Sequence, residues 1–522
     1  MDPVSNATRT TVKAGGSIRR AQVAIAVFAA LGVGLAYSYA VPAVAGSPLP
    51  SVVAKSTYVN LATEVCPIVT GLNQASMAAF SPVIAGSTST STKDTAEVNQ
   101  MGTQKPLATL TANGGYATSP SLSGAVTDLA DDSLPLIGQA TGGLAPGFTV
   151  DGTLQSGSTG TDGYGLASAA CVEPGTDFWF IGAGTDANPL AQLNLANTDP
   201  LTAQVNLSEY GPNGQLSGAA QTANQGLVVP AQGQVSPPGE LIDPSAAPSP
   251  IAVNIVATTG RVTAALLAGD AKGAGRDFIA AEQPATSLVI PGIPAPATGT
   301  TMKLQLMLMA TSQDADVTLK WVGKSSFTPS LTVPHLPAGH VQSIDISSIP
   351  GPGEAGALEI DSTGGTPIIG AIKVTQTTSG ATDTAYLTPV TALTGDSVVA
   401  ENQTGSSVEL TNESAQSAQV KVTTTGQAAP AKAGQTPPPP AVQAQTVTVP
   451  AQTTMVVPLP APTGITQFAV TVTPQNGASQ IFAARVMTGT GPLITIQPMF
   501  TALESVLIPP VQSDLSGTVP QN

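Results

Sequence analysis

The side chains of this chain that could do chemistry are few, and each has a recognisable pattern to test. His335 and His340 share the segment Pro334-His-Leu-Pro-Ala-Gly-His340. Neutral imidazole is a common metal ligand, but the best carboxylate nearby is Asp345 and the spacing follows no metal motif. The expectation is a loop pair and no metal site. Val322-Gly-Lys-Ser325 ends like a phosphate loop, yet Thr318 stands where that motif needs glycine, and the stretch sits within a β pattern rather than between a strand and a helix. No G-x-S-x-G nucleophile elbow is present. The scarce acids fall mostly at turns, as at Asp199, Asp314 and Glu413, where capping is role enough. No catalytic residue and no cofactor is expected.

Two further groups stand out. Asp177-Phe178-Trp179-Phe180 is the densest aromatic cluster. In a strand, Phe178 and Phe180 face one side and Trp179 the other, so Trp179 is either a stacking platform for a sugar ring or a core residue, and the core is favoured. Tyr210 is a second residue suited to ligand stacking, and Trp321 reads as core. Cys66 and Cys171 are the only cysteines. In an oxidising compartment they are most simply one disulfide, closing a loop of about 105 residues; two buried thiols are the alternative.

The elements that must position these groups are strands. Charged residues make up 9% of the 522 residues, against about 25% in typical soluble domains. With 17 Lys+Arg, 32 Asp+Glu and a net charge of −15, the chain lacks the basic surface that nucleic acid requires. Its 53 Gly and 46 Pro argue against a coiled coil, and 42% hydrophobic residues argue against wholesale disorder. Short Val-, Thr- and Ile-rich segments alternate inward and outward between Gly, Pro, Asn and Asp turns.

The pattern also repeats. Leu195-Ala-Asn197 through Val205-Asn-Leu207 matches Leu410-Thr-Asn412 through Val420-Lys-Val422, every position 215 residues apart. Val229-Pro-Ala-Gln232 matches Val449-Pro-Ala-Gln452, and a weaker copy surrounds Val317-Thr-Leu319. Three units of five to seven strands are read at 176–270, 285–378 and 395–490, the last carrying a Pro-rich insert at 427–445. Residues 47–175 form a Gly/Ser/Thr-rich β region, either a looser domain or an extension of the first unit, and 505–522 reads as a disordered tail. The fold class expected is all-β, tandem immunoglobulin-like β-sandwich repeats after one N-terminal helix.

That helix is the uncharged run at 21–45, preceded by a basic stub at 1–20. It is either a transmembrane anchor leaving the N-terminus cytoplasmic or a signal peptide cleaved after Ala45. Both readings place the remainder outside the cytoplasm.

Cys171-Val-Glu-Pro-Gly-Thr-Asp-Phe-Trp-Phe-Ile-Gly-Ala-Gly184, followed by Leu195-Ala-Asn197 and the Val-Pro step, resembles an uncharacterised family of secreted or membrane-anchored actinobacterial proteins. The resemblance implies an envelope location and a β-rich ectodomain, and carries no catalytic residue. The function expected is a non-enzymatic envelope scaffold, membrane-bound through 21–45, with stacked sandwiches meeting an envelope glycan or protein. The alternatives are a carbohydrate-binding module using Trp179 or Tyr210, and an enzyme with an unrecognised site.

Overall fold

The computed structural model describes residues 54–509 apart from 67–73, 85–93, 103–105, 111–115, 119–134, 157–164, 185–188, 217–224, 237–249, 271–272, 297, 328–334, 352, 427–440, 476 and 478–479. The basic stub, the apolar run at 21–45, the Ala45 site, most of the Pro-rich insert and the chain after residue 509 lie outside the described residues. Among the described residues the fold is nearly all β, with one 3₁₀ turn at Gly142–Leu144 and no helix long and apolar enough to cross a membrane.

The strands group into four pairs of sheets along the chain, spanning Leu61–Ala170, Asp177–Ile279, Ser287–Leu387 and Ser397–Met499. Numbering the strands one to eight within each pair, one sheet has the order 1-6-3-4 and the other 5-2-7-8, in all four. In the second pair the fourth strand is split into Gly214–Gln215 and Leu227–Val229. The two sheets of a pair enclose a core. In the second pair it holds Phe178, Phe180, Leu195, Val205, Leu207 and Leu266, and in the third it holds Trp321, which is 1% exposed. Alternation directs this: in Ala203–Gly211, Val205 and Leu207 face inward while Gln204 and Asn206 face out.

The matched sequence segments mark the same corners. Asn197 donates to Leu201 O (2.7 Å) and accepts from Asp199 N (2.9 Å). Asn412 donates to Gln416 O (2.8 Å) and accepts from Ser414 N (3.0 Å). Each thus closes the turn between the second and third strands. In both copies Val-Pro-Ala-Gln is the crossover from one sheet to the other, and Gln232 (φ 49°) and Gln452 (φ 51°) take the left-handed conformation there.

Several expectations are corrected. An immunoglobulin domain pairs its first strand with its second; here the first pairs with the sixth. Region 47–175 holds a fourth pair of sheets of the same topology, masked in the sequence because its core uses small residues such as Ala62, Ala79, Ala96 and Ala140 where the later copies use Val, Leu and Ile. The units read as 176–270, 285–378 and 395–490 each stop short of an eighth strand, namely Arg276–Ile279, Ala381–Leu387 and Ile494–Met499. These strands are buried on both faces over most of their length, and the first two lack the apolar–polar alternation that announces a strand. Residues 441–445 belong to the strand Ala441–Val449 rather than to an insert, and Ser505–Ile508 of the expected tail is a strand paired with Lys55–Tyr58.

The pairs are also not strung in series. The outer face of each 1-6-3-4 sheet packs on the 5-2-7-8 sheet of the next pair. Val65 and Met101 meet Ala196, Ile181 and Ala252 meet Met307, Met309 and Ile369, and Val289, Val322 and Ala357 meet Phe482. The last seam closes the circle, with Ala400 and Ala469 of the fourth pair on Ala78 and Phe80 of the first. The four eighth strands, Gly165–Ala170, Arg276–Ile279, Ala381–Leu387 and Ile494–Met499, adjoin one another in sequence around the centre.

Cys66 and Cys171 form a disulfide across 105 residues, joining the first strand of the first pair to the link into the second. Beside it Val65 and Val172 exchange backbone hydrogen bonds. Replacing both cysteines by serine is expected to lower unfolding free energy by about 2–5 kcal/mol, measured by denaturant titration. An unchanged midpoint would show that the bond constrains nothing the fold does not already hold.

Candidate functional site

Three places in the ring gather chemistry. The first is the hub where the eighth strands meet. Arg485, fully buried in Ile481–Thr488, donates to Ser168 Oγ and to Gln497 Oε1 (2.7 Å). Gln497 passes the network on to Asp151 Oδ1 (2.6 Å), whose other oxygen accepts from Ala400 N (2.5 Å). Asp277 accepts from Ser168 N (2.9 Å) and Thr495 Oγ1 (2.8 Å). Asp383 accepts from Leu166 N (3.1 Å) and Ile494 N (2.9 Å). Gly275 at φ 93° makes room for this approach, since a Cβ there would collide with Thr384 N and the Asp383 carboxyl. Glu401 accepts from Ser76 Oγ (2.6 Å) across the closing seam.

Burial dominates the electrostatics. It pushes the Asp277 and Glu401 carboxyls up to about 7 despite the Arg485 charge, raises Asp151, and holds Asp383 well above the usual carboxylate range. Shifted acids can mark a catalytic centre, but these are sealed within the hub, where each of the four carboxylates accepts a hydrogen bond from another pair of sheets. Arrangement and burial fit a structural role.

The second place is the seam between the second and third pairs. Trp179 and Tyr210, the two residues weighed as ligand-stacking candidates, are brought together and stack on each other with centroids 5.7 Å apart and planes at 28°. Both are half-buried against Met307, Met309 and Ile369. Phe178 and Phe180 point the other way, into the core. His340 lies against Gly214 in the same seam, its Nδ1 2.9 Å from Ala338 O. His335 is held apart, exposed between Asp316 (2.8 Å) and Asp314 (3.3 Å). Hydrogen bonding to Asp316 and then to Asp314 raises its pKa. Among the described residues no group of His, Cys, Asp and Glu is arranged to hold a metal. Gly323–Ser325, the phosphate-loop fragment, is the turn of a hairpin between Asp316–Val322 and Ser326–Phe327. Of the acids assigned to turns, Asp199 also pairs with Arg261 (3.0 Å) and Glu413 reaches Lys320 of the third pair (3.2 Å).

The third place is a groove of about 370 Å³ at the closing seam. Its floor is the outer face of the fourth pair, where Lys421 and Thr423 on one strand lie beside Thr473 and Thr471 on the next. Phe80, Pro82 and Val83 of the first pair and Val442 form its apolar walls, and Asp396 and Thr425 also line it. Among the described residues, Lys421 and Asp396 have no ion-pair partner, and the hydroxyls of Thr423, Thr471 and Thr473 have no hydrogen-bond partner. The sequence reading missed this site. Its signal is the alternation Lys421-Val-Thr423 and Thr471-Val-Thr473, which puts Val422 and Val472 in the core and a polar row on the other face.

The hub yields two linked expectations. Asp277 and Glu401 titrate near 4 when unfolded and near 7 when folded, so between those values the unfolded chain has already lost protons that the folded chain keeps. Stability is therefore greatest below pH 4 from these groups and falls as pH rises through 7; melting temperature should drop between pH 5 and pH 8, and a rise over that interval would contradict the assignment. Arg485→Met should cost about 3–5 kcal/mol at pH 8 and less at pH 5, where the carboxyls can be neutral, as read by denaturant unfolding at both values.

No curated protein and no solved structure matches the chain. A family model does match, over residues 124–460, which covers most of the ring from the first pair of sheets into the fourth. The chain belongs to DUF5719, a family of unknown function.

Proposed function

We propose that this protein is a non-enzymatic component of the cell envelope whose ring of β-sandwich modules serves as an interaction scaffold outside the cytoplasm, anchored through residues 21–45 or released after Ala45. The observation that carries this reading is the Cys66–Cys171 bond, which takes both cysteines of the chain. Such bonds persist in oxidising compartments and are rare in the cytosol. The uncharged segment behind a basic stub supports the same location. The rigid, doubly covered sheets leave loops and seams as the surfaces available to a partner, an envelope protein or an envelope glycan.

Trp179 and Tyr210 give little support to a carbohydrate site of their own, because each already occupies a face of the other. A glycan partner is favoured instead by the groove at the closing seam.

A C-terminal epitope tag on the full chain should be reached by antibody and by added protease in intact cells, and the chain should show no free thiol on denaturation without reductant. A protected tag with both thiols free would overturn the location. The full chain in mild detergent should also co-sediment with isolated envelopes. Its persistence on envelopes stripped of protein would identify a glycan partner, and its loss would identify a protein one.

A further inference from the structure

We infer that the groove between the first and fourth pairs of sheets is a binding site for a neutral saccharide. The inference adds a ligand class to the scaffold reading above and rests on it only for where such a ligand is met. Pockets of a few hundred Å³ with a few convergent polar groups are the usual form of small-ligand sites, and this one measures about 370 Å³.

The charges choose the class. Lys421 and Asp396 line one groove without pairing with each other or with any other described ion. An anionic ligand would meet Asp396 and a chain of net charge −15, while a cationic one would meet Lys421. A neutral polyol satisfies both, since each hydroxyl donates to a carboxylate and accepts from an ammonium. Beside the two charges the floor presents the hydroxyls of Thr423, Thr471 and Thr473, on neighbouring strands whose registered partners are Lys421 with Thr473 and Thr423 with Thr471. Strands lie about 4.8 Å apart, so this floor is a flat lattice of donors and acceptors on the scale of a sugar ring. Val442 is 59% exposed and Val83 is 70% exposed, which offers apolar walls to the C–H faces of such a ring. The groove also spans the seam that closes the circle, so a ligand bound there touches the first and last modules together and favours the closed form.

The test uses the full chain in mild detergent, titrated by calorimetry and by ligand-observed NMR with neutral trisaccharides of glucose, mannose, galactose and arabinose, and with a uronic trisaccharide as the charged control. At least one neutral probe should bind and raise the melting temperature. The triple variant Thr423→Val, Thr471→Val, Thr473→Val keeps the β-branched shape of the floor, and it should weaken that binding at least tenfold while the protein without ligand melts as before. Lys421→Gln should do the same through a single charge. Failure of all neutral probes, preference for the uronic probe, or binding unchanged in both variants would each overturn the inference. Because envelope co-sedimentation and tag accessibility are measured separately, the scaffold reading can survive that result, and a glycan-binding groove can survive the loss of the scaffold reading.

Discussion

A β-sheet that is apolar on both faces has to be covered twice, and that constraint organises the whole molecule. An ordinary antiparallel sandwich buries one face of each sheet and leaves the other to water. Here Ile181, Ala252, Met307, Val289 and Ala400 lie on the outer faces of their sandwiches and are as deeply buried as the cores within. A linear string would leave such faces bare at its two ends. Four modules closed on themselves leave none, because the first covers the fourth with Ala78 and Phe80. What remains open is the rim, and its edge strands are mostly short: Ala108–Leu110, Ser326–Phe327, Gln342–Asp345 and Gly233–Val235. Short edges offer little template for pairing with another chain.

The hub carries the specificity that apolar seams lack. Apolar faces would tolerate sliding, but Arg485 of the fourth module meets Ser168 of the first, and Asp277 of the second receives Ser168 of the first and Thr495 of the fourth. Asp383 of the third is held by backbone N–H groups of the first and fourth. These bonds exist only when all four modules are in register. Taking such charges out of water is costly, and replacing them by apolar groups often stabilises a protein. Their retention here is consistent with a role in fixing register, with the carboxyl protons absorbing part of the cost.

Much of the β architecture was legible from the residues. The repeat Leu195–Leu207 against Leu410–Val422 marked equivalent strands because a corner asparagine and two inward residues are demanded by the same local geometry in each copy. Opposite orientation of Phe178 and Trp179 followed from strand alternation, and the pairing of Cys66 with Cys171 from there being two cysteines in a chain expected outside the cytoplasm. Ring closure was not legible, since it depends on which outward faces meet, and a period-two pattern does not say whether the outward residue faces water or a neighbour. Of the eighth strands after the first module, only Ile494–Met499 alternates apolar and polar residues, and it is buried on both faces all the same. The first module escaped notice because alanine takes many of its core positions, among them Ala62, Ala79, Ala96, Ala108 and Ala140. The groove residues lay in plain view as alternating threonines, but their convergence with Pro82 and Asp396 is a product of the closing seam.

Closure of the ring is best measured by small-angle scattering from residues 54–509. A closed ring of this length predicts a radius of gyration of roughly 23 Å, the value for a compact chain. Four modules strung end to end would scatter with a radius of roughly 40 Å, and that result would contradict the account.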